Sequence, residues 1–172
     1  MNRRLLLSLL VFAFAAPLSA QPPELGQGYL PEFNLAARQT IALAEAIPAE
    51  KYSWRPTPGV RSVSEVLMHI ALGNYWLLSQ AGIPLPEGPR KLSQGLDKKI
   101  TDKSEVIAWL KDAQEAVRQA YPKADLRKPI KFFNRDATVE GVYLRILVHD
   151  HEHMGQLIAY ARMNGVTPPW SE

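Results

Sequence analysis

The sequence has no cysteine, and histidine appears only four times in 172 residues. The first absence excludes disulfides and a lipid-modified cysteine, so stability has to come from a packed core, with or without a metal. Neither sign of charge dominates: 20 lysines and arginines stand against 17 acids, a formal +3. There is no concentrated basic patch of the kind a nucleic-acid partner requires, so none is expected. A glycine-rich phosphate loop is missing as well. Long hydrophobic runs are scarce. The one at Leu5 to Ala16 follows Arg3 and Arg4 and precedes the small residues Ser19 and Ala20. That order reads as a secretory signal peptide whose apolar part is too short for a comfortable membrane anchor. Arg3-Arg4 also admits twin-arginine export, but the short basic region and strongly apolar core favour the general route. We expect residues 1–20 to be cleaved after Ala20, leaving residues 21–172 with no membrane anchor, periplasmic or secreted. Losing the two arginines lowers the net charge from +3 to +1.

What is present in the remaining chain is helical periodicity. Phe33, Ala37, Thr40, Ala44 and Ile47 recur at three and four, a first helix that ends before Pro48. KYSWRPTPGV is a connector. Ser62-x-x-Glu65 opens a second helix as a capping box, running to about Ala81. GIPLPEGPRKLSQGLDKK is a long loop of the sort that is usually functional or mobile. Val106, Trp109, Leu110, Ala113 and Val117 mark a third helix from about Asp102 to Tyr121, and a fourth runs from near Thr138 to Asn164. No convincing set of strands and no internal repeat is visible. The predicted fold is all-α, one four-helix bundle with a long loop between its second and third helices.

The scarce histidines are concentrated. Three of the four stand in VHDHEHMGQL, Val148 to Leu157. On a helix, Val142, Ile146, His149, His153, Gln156 and Tyr160 share one stripe, and His149 and His153 are one turn apart, the spacing by which one helix supplies two metal ligands. His151 faces elsewhere. His69 lies on the second helix with Leu72, Gly73 and Trp76 on its face and Glu65 one turn before it. Three imidazoles from two helices can therefore meet in the interior, and three histidines with an open fourth position are what a catalytic metal needs. Burying unpaired imidazoles would otherwise cost desolvation energy with no return. Imidazole suits several divalent transition metals, with zinc and nickel the leading expectations. Gln156 is either a packing residue or a donor that orients a ligand. Gly155, costly inside a helix, suggests close approach of another helix. Trp54 and Trp76 read as core anchors. HDHEH differs from the H-E-x-x-H of zinc proteases, because Asp150 stands where glutamate is needed.

KYSWRPTPGVRSVSEVLMHI, the pattern H-x-x-x-H-x-G-Q at His149 to Gln156, and the tail YARMNGVTPPW together resemble the DinB family, a four-helix-bundle superfamily of metalloenzymes. The similarity spans nearly all of the chain after the leader. It implies one metal-ligating histidine on the second helix and a pair on the last, at His69, His149 and His153. Met154 departs from the pattern, since many members carry arginine there, and the leader departs from the cytoplasmic members. The resemblance also implies transferase or isomerase chemistry with a low-molecular-weight thiol. An exported protein meets little of that thiol, so a hydrolase or transferase acting on a small-molecule substrate with another nucleophile is the expectation. Glu65, Asp150 and Glu152 are candidate bases, none singled out. A non-catalytic metal-binding protein of the periplasm and a bundle with merely hydrogen-bonded histidines are the alternatives. Leu144, Leu147, His151, Met154 and Ile158 form an apolar strip opposite the histidines, to be covered either by the Phe132-Phe133 loop or by a second subunit in a homodimer.

Overall fold

The computed structural model describes residues 26–85 and 95–171. The leader expected at residues 1–20 and residues 86–94 of the loop between the second and third helices lie outside the described residues. Four long helices form the body: α1 (Tyr29–Ala46), α2 (Val63–Gln80), α3 (Lys103–Ala120) and α4 (Val139–Met163). A single helical turn at Leu96–Lys99 precedes α3. Among the described residues, no helix is long and apolar enough to cross a membrane.

Each start has a local cause. Ser62 accepts from the Glu65 amide at 3.3 Å while Glu65 accepts from the Ser62 amide at 2.9 Å, so the capping box closes in both directions. Asp102 caps α3 through the Glu105 amide at 3.0 Å, and Thr138 caps α4 through the Gly141 amide at 3.2 Å. At the far end of α4, Gly165 takes φ +74°, a left-handed conformation that suits the helix stop.

Both α1 and α2 pack chiefly against α3 and α4. The consecutive pairs α1/α2 and α3/α4 therefore lie diagonally. The core extends along the bundle as two apolar clusters, one around Leu67, Ile70, Leu110 and Leu157, the other around Phe33, Leu77, Val142 and Ile146. All four helices contribute to both clusters.

A feature that the sequence reading lacks is an antiparallel hairpin, β1 (Pro129–Phe132) with β2 (Arg135–Thr138), registered Pro129 to Thr138 and Phe132 to Arg135. Its strands are four residues each and its turn carries no Asn-Gly signal, so periodicity had little to act on. Phe133 and Asn134 both take positive φ, 48° and 60°, as a two-residue hairpin turn of the primed type demands. Thr138 ends β2 and caps α4, so the hairpin is attached rigidly to the last helix.

Two other expectations are corrected here. Gly155 is exposed with nothing within 4 Å of the position a Cβ would take, so no helix approaches it. The strip opposite the histidines is not uniform: Met154 is buried by the bundle itself, Leu147 and Ile158 are half-buried, and Leu144 remains 59% exposed.

Candidate metal centre

His69 on α2 and His149 and His153 on α4 converge between the two helices. Their rings form a triangle with centroid separations of 4.9, 4.5 and 4.6 Å. One ligand atom from each lies within 4.8 Å of the others. The Nε2 atoms of His69 and His149 are 3.2 Å apart. Two nitrogens on one tetrahedral zinc, with bonds of about 2.0–2.1 Å, stand about 3.3–3.4 Å apart, so this pair already has the separation of one tetrahedral edge. His151 is not in the group. It is exposed, and its Nδ1 donates to the Leu147 carbonyl at 3.0 Å.

The close approach of the helices is made by Gly73, one turn beyond His69. A Cβ at that position would lie 2.4 Å from Cε1 of His149. The imidazole of His149 therefore rests on bare backbone, and any side chain at residue 73 would displace it. The helical glycine at which packing leaves no room for a side chain is Gly73, not Gly155.

Hydrogen bonds behind the rings decide which nitrogen faces the centre. His153 Nδ1 donates to Gln156 Oε1 at 3.1 Å, Gln156 Nε2 donates to the Tyr160 hydroxyl at 2.8 Å, and that hydroxyl donates to the Arg61 carbonyl at 3.2 Å. The chain of donors leaves Nε2 of His153 with its lone pair free, an arrangement that orients metal-ligating histidines generally. Behind His149, Asp150 is fully buried and accepts from Asn74 Nδ2 at 3.3 Å. Its other oxygen lies 3.9 Å from His149 Nδ1, and both of those atoms are buried without a hydrogen-bond partner. Burial raises the Asp150 carboxyl above its ordinary range, against the opposing pull of His149 and Asn74. Burial, with Arg61 and the other two rings, pushes His69 down to about 3, and burial lowers His153 despite its bond to Gln156. Both are neutral imidazoles, the form that offers a lone pair.

The three candidate bases have other work. Asp150 sits behind His149, away from any opening. Glu65 is held by the Ser62 amide and by Arg55 at 3.0 Å, and Glu152 pairs with Arg145 at 3.3 Å. Trp54 is half-buried and packs against the core, set edge-on to Tyr160 at 5.3 Å. Trp76 is not a core anchor: it is 42% exposed and forms one wall of a cleft of about 420 Å³ that opens onto His69 and His149. Phe132 and Phe133 of the hairpin and Arg145 complete its lining.

A sequence profile of the DinB superfamily matches residues 32–157, a span that holds all three histidines. The chain belongs to the DinB superfamily. The solved structures agree on its fold. A DinB-like protein from Bacillus cereus has a TM-score of 0.69 at 20% identity, over 84% of this chain and 95% of that one. A DinB-like protein from Bacillus subtilis gives 0.60 at 22%, over 81% and 92%. An uncharacterised protein from Escherichia coli gives 0.58 at 13%, over 81% and 94%. No curated protein matches. The three-histidine group of this DinB protein is of the type that could hold a metal ion. Three contributors had no site role in the sequence: Gly73 stood only as a neighbour on the His69 face, Phe133 only as part of a loop that could cover α4, and Arg145 was signalled by nothing beyond its charge.

Proposed function

We propose that His69, His149 and His153 hold one divalent transition metal, zinc or nickel, and that the protein is a metal-dependent hydrolase or transferase of small molecules. The carrying observation is the convergence of three imidazoles, two of them already 3.2 Å apart at Nε2. A metal so held supplies Lewis acidity at an open coordination position. The chain's own residues do the rest: Gln156 fixes the His153 tautomer, Gly73 admits the His149 ring, and the cleft walls hold the substrate and limit water.

The cleft favours turnover over the alternative, a periplasmic metal-binding protein without catalysis. A carrier needs only an exchangeable ligand set, whereas here a space of about 420 Å³, of the size that binds small ligands, opens beside two of the three rings. The same reading has the chain exported, cleaved after Ala20, and paired in a homodimer along α4. Metal analysis of the purified protein tests it, with near one equivalent of zinc or nickel per chain expected. A protein that takes up neither metal from a buffered excess would leave a bundle of hydrogen-bonded histidines as the remaining account.

A further inference from the structure

The cleft beside the histidines has an uneven chemistry. Its walls are apolar and aromatic, from Leu72, Trp76, Phe132 and Phe133, and Arg145 is the one cationic side chain among the residues that line it. The aromatic rings form a continuous patch: Trp76 lies 6.0 Å from Phe132 and 5.6 Å from Phe133, and the two phenylalanines are 4.6 Å apart. Phe133 is 72% exposed and sits at φ 48°, a conformation that bulky L-residues avoid and that asparagine or glycine would adopt more readily. A water-facing phenylalanine in a left-handed turn does not serve the core. It costs stability while extending the aromatic wall.

Arg145 is held near this wall by a single contact to Glu152 at 3.3 Å, with the two side chains 44% and 58% exposed. An ion pair that open to solvent is weak, so Arg145 can leave it for a better acceptor. A planar guanidinium favours a carboxylate or a similar oxyanion, which it binds through two parallel hydrogen bonds.

We propose that this cleft binds a small molecule with a flat apolar body and one anionic group, the body against Trp76, Phe132 and Phe133 and the anion on Arg145. The inference deepens the functional reading above by naming the substrate class, and it rests on that reading only for what happens to the ligand once bound.

The test uses three probes of one shape: 2-naphthoate, the neutral 2-naphthamide and the cationic 2-naphthylmethylamine. Each is titrated into the full mature chain, metal-loaded and metal-stripped, following quenching of tryptophan fluorescence, with Trp76→Phe to identify the reporter. In stripped protein we expect 2-naphthoate to bind at least about tenfold more tightly than 2-naphthamide, the scale of a hydrogen-bonded charge. Arg145→Gln should bring the two within about twofold, while Glu152→Gln, which frees the guanidinium, should keep or widen the gap. A merely structural role for the ion pair would make both variants behave alike, and that result overturns the assignment. So does equal affinity for acid and amide in the stripped wild type, or no saturable binding of any probe up to about 1 mM. A preference that exists only in metal-loaded protein places the anion on the metal: the substrate-class proposal then fails while the metal reading stands. Metal content, measured separately, decides the converse.

Discussion

At the scale of single residues, the site depends on what is missing at position 73 as much as on the three imidazoles. His69→Ala, His149→Ala and His153→Ala should each strip most bound divalent metal, while His151→Ala, exposed and turned to its own helix, should keep it. Full metal occupancy in the His149 variant would remove the assignment. Gly73→Ala makes a sharper test, because alanine is worth about 1 kcal/mol more than glycine inside a helix, whereas its methyl would stand 2.4 Å from the His149 ring. The ring has to rotate away. We expect metal occupancy to fall while the thermal midpoint of the metal-free protein stays level or rises; a drop in that midpoint with metal retained contradicts the geometry. The convergence of the histidines was legible in the sequence because one helical turn separates His149 from His153, and a wheel places them on one face without tertiary knowledge. Gly73 was not legible as a partner, since its role exists only once α4 lies across α2.

At the scale of elements, the four helices were legible and the hairpin was not. Long amphipathic segments with a Ser-x-x-Glu start and a Gly-Pro stop carry their own signals. A pair of four-residue strands carries too few alternations, and Phe133 runs against the preference of the turn that it forms with Asn134. That conflict yields a prediction. Phe133→Asn should raise stability by about 0.5–1 kcal/mol by relieving the left-handed strain, a rise of about 1–4 °C in thermal midpoint for a chain of this size. The same change should weaken binding in the cleft, since the aromatic wall is shortened. Differential scanning calorimetry decides the first part. A lower midpoint would mean that the phenylalanine is held by packing that its 72% exposure does not reveal.

For the whole molecule, the fold class followed from periodicity, but the order of helices around the bundle did not, because connectors spanning residues 47–62 and 121–138 carry the chain across the diagonal. The apolar strip on α4 also needed the structure to be divided. Met154 is buried internally, so a substitution there would test folding instead of association. Leu144 and Val148, 59% and 47% exposed, are the residues left for a twofold contact. Light scattering at micromolar concentration should give a dimer mass that Leu144→Glu with Val148→Glu reduces to a monomer; a monomeric wild type rules the pairing out. Export predicts a mature chain beginning at Gln21, and mass spectrometry of the cellular protein that finds an intact Met1 would refute it. For a chain exported as proposed, the spacing of the three histidines along the sequence sets the order of events. His69 and His149 are 80 residues apart, and His149 and His153 are on the last helix. In a chain threaded unfolded through a membrane they emerge last, so the nitrogen set is complete only on the far side. An ion bound after such export would be drawn from that compartment's supply, and because nitrogen sites follow one general order of metal affinity, availability would weigh on its identity together with ligand type and geometry. Protein made without its leader would fill from a different pool, and the metal recovered from it would identify the place of folding.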